Sequence, residues 1–120
     1  MGEIRLPESE LKVMDIVWER GAVSAKEAAE HMSRRYGWKK NTTYTVLKNL
    51  QDKGAVQRQE PGFICVPLVR REQIGRSAAK SLLNSFYKGS AAALFSSFLE
   101  EKAISAEELE QIKAMIDSSE

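Results

Sequence analysis

The polar and apolar positions near the start of the chain repeat at the spacing of an α-helix. In the segment PESELKVMDIVWERG, one face collects Leu11, Met14, Val17 and Trp18. The proline and the glycine that flank this segment suit the beginning and the end of a helix. The pattern therefore predicts a first helix with one buried face.

Two further helices are predicted before residue 54. Ser24 and Glu27 form a capping box, in which the side chains satisfy amides at a helix start, and Gly37 ends that helix. Val23, just before the box, could pair as a very short strand. A third helix runs from about residue 40 to 53 and stops at the following glycine. Together the second and third helices predict a helix-turn-helix.

A β-hairpin is predicted after the third helix, from two extended runs, AVQRQE and FICVPL. Pro61 and Gly62 divide these runs and favour a turn. Val56, Phe63 and Val66 can pack the hairpin onto the helices. A hairpin directly after a helix-turn-helix makes it winged, so the expected fold class is mainly α, an α+β winged helix-turn-helix.

The last part of the chain predicts an all-helical second domain with three helices. Three segments carry apolar stripes at helical spacing, the first beginning at Ile74, and Ser105 with Glu108 forms another capping box. We expect a junction at residues 69–72 and two domains, 1–70 and 71–120.

The apolar stripes of the second domain predict a homodimer. Small domains bury a low fraction of their surface, so three short helices cannot cover such stripes alone. A second copy of the chain would cover them. The alternative is that this domain packs back on the N-terminal half. The expected dimerisation residues are Leu82, Phe86, Leu94, Phe95, Phe98, Leu99, Leu109, Ile112 and Ile116.

The formal net charge of +1 hides an uneven distribution. Residues 34–58 carry seven basic side chains against Asp52, a net charge of +6, whereas residues 73–120 carry five basic and seven acidic side chains. A basic middle beside an acidic tail favours a local polyanion site. Chance clustering on a solvated surface is the alternative.

The outward face of the third helix carries groups suited to the DNA major groove. A helical wheel turns the apolar residues inward and Asn41, Thr45 and Lys48 outward, with no acid before Asp52. Asn can bond to adenine, Lys to guanine, and a Thr methyl can contact thymine. Phosphates would be bound at the helix start and by the wing. The residues expected there are Lys39, Lys40, Thr42, Thr43 and Arg58, although the wheel also places Thr43 on the core side.

Other classes of protein find less support in the sequence. An enzyme is not expected, because the chain has one His, one Cys and no glycine-rich phosphate loop. No cofactor or metal site is expected. No apolar run approaches the ~20 residues of a membrane span, and the first residues lack a secretory signal pattern, so we expect a cytoplasmic protein. An RNA-binding or a protein-interaction winged helix stays open as an alternative.

The chain resembles the penicillinase-repressor family, the BlaI/MecI/CopY group of bacterial winged-helix repressors. The resemblance spans about residues 4 to 117 and is carried by ELKVMDIVW, NTTYTVLKNLQDKGAV, VPLVRRE, YKGS and ISAEELEQI. It implies a homodimer that binds a pseudo-palindromic operator on double-stranded DNA and blocks transcription, with helices at the C-terminus that dimerise. The recognition positions carry over to Asn41, Thr42, Thr45 and Lys48, with Tyr44 and Thr43 as phosphate or flanking contacts. Alternatively, Tyr44 covers the first helix.

The resemblance leaves the inducing signal open. Antibiotic-responsive members are cleaved at an Asn-Phe bond, which would imply a membrane sensor-protease as partner, but the matching residues here are Ser97 and Phe98. Copper-responsive members carry C-terminal cysteines, whereas this chain ends in MIDSSE. Cys65 lacks neighbouring metal ligands and is interpreted as a small apolar filler in a wing strand rather than a redox sensor.

Overall fold

The computed structural model describes residues 4–119, which form six helices and a three-stranded sheet. The predicted order of three helices, a hairpin and further helices is confirmed. The elements are α1 (Glu8–Arg20), β1 (Val23–Ser24), α2 (Ala25–Tyr36), α3 (Lys40–Asp52), β2 (Val56–Gln59), β3 (Ile64–Pro67), α4 (Arg71–Tyr87), α5 (Ala91–Glu100) and α6 (Ala106–Ser118).

Local signals set the ends of the first two helices. α1 ends at Gly21, whose φ of 76° is a left-handed conformation that glycine adopts at little cost. The Ser24 hydroxyl accepts a hydrogen bond from the Glu27 N–H at 3.0 Å and caps α2, which ends at Gly37 with φ of 71°. The predicted capping residue and both predicted stops are therefore confirmed.

The three strands form an antiparallel sheet in the order β1-β3-β2. Val23 lies opposite Cys65, so the very short strand predicted at Val23 is confirmed. We call the β2–β3 hairpin, residues 56–67, the wing; its turn contains a cis peptide bond between Glu60 and Pro61. The Ala25 N–H donates to the Phe63 carbonyl oxygen at 2.9 Å, which joins the wing to the start of α2.

A hydrophobic core lies between the first three helices and the sheet. Cys65 is 1% exposed within this core, and burial raises the pKa of its thiol. This placement agrees with its interpretation as a packing residue. The largest fully buried side chains are Met14, Ile16, Met32, Leu47, Leu50, Val13, Val17, Val56, Thr43 and Cys65.

An ion pair joins α1 to the end of α3. Lys53 Nζ lies 2.5 Å from Glu10 Oε1 and donates to the Arg5 carbonyl oxygen at 2.8 Å. Glu10 is only 7% exposed, and a buried carboxylate requires such a partner. Lys53 therefore holds the C-terminal end of α3 against α1.

The chain divides into two compact units inside α4. One unit ends at Ala78 and the other begins at Ala79, whereas the boundary predicted between residues 70 and 71 falls at the beginning of α4. The start of α4 belongs to the first unit because Ile74 is 7% exposed in its core. The apolar stripe that begins at Ile74 therefore starts in the first unit and continues into the second.

The second unit has no buried side chain between residues 79 and 119. Its helices α5 and α6 begin at Ser90 and Ser105, whose hydroxyls accept backbone N–H groups at 3.0 and 3.1 Å. Large apolar side chains face solvent, with Phe86 75% and Ile116 60% exposed. Among the described residues, no helix has both the length and the apolar character needed to cross a membrane.

Candidate nucleic-acid interface

Helix α3 presents a continuous polar face to solvent because its aliphatic side chains are buried in the core. Val46, Leu47 and Leu50 are buried, at 7%, 1% and 0% exposed. Four of the predicted DNA-binding side chains are exposed on the other side of the helix. They are Asn41, Thr42, Thr45 and Lys48.

Thr43 does not belong to this face, and its buried side chain is not placed for the phosphate contact expected of it. The residue is 0% exposed, because it lies three and four positions before Val46 and Leu47 on the core side of the helix. Its Oγ1 has no hydrogen-bond partner among the described residues. The core position indicated by the helical wheel is the one observed.

The first turn of α3 carries no carboxylate of its own that would compete with an anion. The N-cap residue Lys39 makes no side-chain cap. The first turns of α1, α2, α4 and α6 each carry at least one glutamate, whereas that of α5 carries none. The partial positive charge of a helix N-terminus attracts phosphate where no carboxylate already lies beside it.

A shallow cleft lies beside this helix start, between α2 and α3. It has a volume of about 260 Å³ and is lined by Lys26, Ala29, Glu30, Ser33 and Lys40. Lys40 was predicted from the sequence, whereas Lys26 and Ser33 were not. Lys26 lies three residues before the buried Ala29 and Ser33 lies four residues after it. This spacing along one side of α2 was the signal that could have found them. The cleft adds Lys26 to the basic surface at the start of α3, together with the carboxylate of Glu30.

Tyr44 links α3 to the wing. Its half-buried ring meets the ring of Phe63 edge-on, with 5.8 Å between the centroids and 89° between the planes. Lys40 Nζ lies 5.5 Å from the centroid of the Tyr44 ring. The wing residue Phe63 was not among the partners that the sequence suggested for Tyr44, because the contact joins distant parts of the chain.

Arg58 lies on the wing, as predicted, but its guanidinium has partners within the protein. Its Cζ atom lies 3.6 Å from the centroid of the Phe63 ring, and its Nε pairs with Glu60 Oε2. The hydrogen bond from Arg58 and a second from the Phe63 N–H lower the pKa of Glu60. The wing therefore presents a cation with an acid bound to it.

Two aromatic rings lie where α2 passes into the turn before α3, and two cations lie beside one of them. Tyr36 and Trp38 lie 6.1 Å apart between ring centroids, and Lys12 Nζ and Arg35 Cζ lie 4.6 and 5.6 Å from the centroid of Tyr36. Tyr36 is 39% exposed. Two cations therefore lie beside the Tyr36 ring, where a stacking base would also have to approach.

The predicted dimerisation residues all lie in the second unit and are partly or largely exposed. Leu94, Leu109 and Ile112 are half-buried, whereas Leu82, Phe86, Phe95, Phe98, Leu99 and Ile116 are exposed. A small cavity of about 190 Å³ opens among the side chains of α5 and α6. Its apolar lining residues are Phe95, Leu99, Ile104, Leu109, Ile112 and Ile116.

Two predictions about signalling residues can be placed in the structure. Ser97 and Phe98 lie within α5, and Ser97 Oγ accepts a hydrogen bond from the Tyr87 hydroxyl at 3.4 Å. Across residues 4–119, no group of three or more His, Cys, Asp or Glu side chains is arranged to hold a metal ion.

Comparison with known proteins places the chain in a family. A family model described as penicillinase repressor matches residues 6–118. The penicillinase repressor of Bacillus licheniformis is 26% identical over 115 residues, which cover 94% of this chain and 90% of that protein. The methicillin resistance regulatory protein MecI of Staphylococcus aureus strain N315 is 27% identical over 111 residues, 91% of this chain and 90% of the relative.

Solved structures support the fold of the first unit. The DNA-binding domain of the repressor BlaI in solution aligns with a TM-score of 0.56 at 24% identity, over 60% of this chain and 90% of that domain. Monomeric B. licheniformis BlaI in complex with the blaP half-operator aligns with a TM-score of 0.54 at the same identity and coverage. The family match over most of the chain is thus accompanied by the matching winged-helix fold, and the chain belongs to the penicillinase repressor family.

Proposed function

We propose that this protein is a sequence-specific DNA-binding repressor of transcription that acts as a homodimer on a pseudo-palindromic operator. The observation that carries the proposal is the exposed face of α3, which offers amide, hydroxyl and ammonium groups on a helix whose first turn contains no acid. Membership in a family of repressors supports it, as does the relative whose solved structure contains a half-operator. Repression by occupying a promoter requires no chemical reaction, so the protein is not an enzyme.

In this proposal α3 is the recognition helix and lies in the major groove. Asn41, Thr45 and Lys48 contact base edges and select the sequence, each good contact contributing roughly 1–3 kcal/mol of discrimination. Phosphate contacts position the helix and supply most of the non-specific affinity. The residues available for them are Arg34, Arg35, Lys39, Lys40 and Thr42, together with Lys26 and Ser33 of the adjacent cleft.

The second unit supplies the dimer in this proposal. Its exposed apolar side chains, Phe86, Phe98 and Leu99 among them, would be covered by the same residues of a second chain. Two recognition helices would then enter successive major grooves on one face of the duplex, with half-sites about 10 base pairs apart. A repressor of this kind works in the cytoplasm, where the promoter is.

Release by a membrane sensor-protease is the less supported part of the family resemblance. The residues that match the cleaved bond, Ser97 and Phe98, lack the asparagine and lie inside helix α5. An extended substrate would require this helix to unwind first. A protease assay with the sensor partner, comparing the wild type with Ser97→Asn, measures whether the asparagine alone restores cleavage.

The function is tested by selecting bound duplexes from a random pool and then measuring affinity against bulk competitor DNA at moderate ionic strength. We expect a two-fold symmetric motif and a preference of at least 10³-fold for it. A protein that distinguishes no duplex sequence from competitor would contradict the proposal. Competition with single-stranded RNA separates this proposal from the RNA-binding alternative.

A further inference from the structure

We propose that Glu60 is a positioning residue that fixes the wing cation Arg58 relative to the recognition helix and thereby sets how well the protein discriminates its DNA site. This inference rests on the proposed DNA-binding function. Glu60 is an acid on a surface where only basic residues were expected from the sequence to contribute charge.

A chain of ring contacts joins the wing to the recognition helix. The Tyr44 ring of α3 meets the Phe63 ring edge-on at 5.8 Å, and the Arg58 guanidinium lies over the same Phe63 ring at 3.6 Å. Edge-to-face aromatic pairs and cation–π contacts both have a preferred geometry. Phe63 therefore fixes the position of the Arg58 charge relative to α3.

Glu60 holds this chain of contacts with both oxygens of its carboxylate. Oε2 pairs with the Arg58 guanidinium, and Oε1 accepts a hydrogen bond from the Phe63 N–H at 3.1 Å. Phe63 has a φ of 48°, a left-handed conformation that non-glycine residues rarely adopt. One carboxylate therefore fixes the cation and the backbone of the ring beneath it.

The exposure of this ion pair favours a role in binding over a role in folding. The side chains of Arg58 and Glu60 are 43% and 54% exposed, and ion pairs at such positions contribute little to stability. An acid on a DNA-facing hairpin also weakens the attraction to phosphate. Glu60 thus reduces the general attraction of the wing to phosphate while it fixes the location of Arg58, the one arginine of the wing.

The direct test replaces Glu60 in the full-length protein with the uncharged isostere, Glu60→Gln. Affinities for a selected duplex and for a random duplex are measured over a range of salt concentrations, with thermal unfolding as a folding control. We expect an unchanged unfolding midpoint, tighter random binding and a salt slope steeper by about 0.9, because Arg58 becomes free to neutralise a phosphate. We also expect the ratio of specific to random affinity to fall about tenfold, the size of one lost contact.

Two further variants separate positioning from charge. Asp52→Asn makes the same charge change at the end of α3, eight residues after Tyr44. It should strengthen binding to both duplexes and leave the ratio of specific to random affinity unchanged. Phe63→Leu keeps Glu60 but removes the ring, and should lower the ratio without steepening the salt slope.

The outcomes distinguish this inference from the function on which it rests. A wild type that discriminates, together with a Glu60→Gln variant that keeps the same ratio, would overturn the role of Glu60 alone. An equal loss of ratio in Asp52→Asn would also overturn it, since charge would then be the whole cause. A wild type that discriminates no duplex would overturn the proposed function and this inference together.

Discussion

The two units of the molecule differ in how completely they bury their apolar residues. In the first unit, Val13, Met14, Val17, Met32 and Leu50 are each 0% exposed, around a core closed by three helices and a sheet. In the second unit no side chain between residues 79 and 119 is buried, although its helices carry wide apolar stripes. The first unit buries its core residues without a partner. The second unit exposes an apolar surface of the kind that requires one.

The largest effect is expected from a change on the exposed apolar surface of the second unit. We expect Phe98→Asp to place a charge on the exposed apolar surface, to prevent dimerisation and to reduce operator affinity by about 10²-fold or more, since the second half-site is no longer tethered. Ultracentrifugation and DNA titration measure both effects. Ser96→Asp, 200° away around α5, is the matched control. A wild-type monomer would contradict the explanation.

The next effect concerns truncation of one apolar side chain in each unit, which should change stability in different ways. Leu47→Ala, at a residue 1% exposed, should cost about 2–5 kcal/mol in the free energy of unfolding of the first unit at any protein concentration. Leu99→Ala, at a residue 51% exposed, should lower stability in a manner that depends on concentration, because its burial depends on a second chain. Chemical denaturation at two protein concentrations distinguishes these behaviours. Equal dependence on concentration would argue against the division.

The recognition face gives the next effect. Lys48→Ala should change the preferred half-site sequence and cost roughly 1–3 kcal/mol on the original site. Lys39→Ala, at the start of the same helix, should instead weaken all sequences and reduce the salt slope by about one contact. Duplex selection repeated with both variants is the measurement. The same selected motif from both would refute the separation of base from phosphate contacts.

The smallest effect concerns the buried hydroxyl of Thr43. Thr43→Val keeps the shape and removes a buried polar atom that has no hydrogen-bond partner among the described residues, so we expect stabilisation by about 1 kcal/mol. The urea midpoint should rise with an unchanged slope. Thr45→Val, on the exposed side of α3, should leave the midpoint unchanged. A lower midpoint for Thr43→Val would mean that the hydroxyl is bonded in solution.

The local features of the fold were predictable because each has a signal within a few residues. Gly21 and Gly37 end helices where a left-handed residue is required, and the Ser24 hydroxyl caps α2 as its spacing from Glu27 indicated. The exposed residues of α3 followed from helical periodicity in the same way. Thr43 was the ambiguous case, because a first-turn position and a core-facing position coincide in one residue.

Long-range features were not predictable from those signals. Periodicity shows that Ile74 belongs to an apolar stripe, but it cannot tell which core the stripe contacts. The contact between Tyr44 and Phe63 joins residues that lie nineteen positions apart, and nothing in either segment specifies the other. The acid beside Arg58 was passed over for a related reason, since counting basic residues does not reveal which of them already have a partner.

The ion pair between Glu10 and Lys53 has a consequence for genetics. Glu10 belongs to neither α3 nor the wing, yet its carboxylate holds the lysine that follows α3. A screen for strains that lose repression should therefore recover substitutions at Glu10 beside those in the reading face. Strains that lose Lys53 should in turn be suppressed by an apolar residue at Glu10, because such a change removes the buried carboxylate left without its partner.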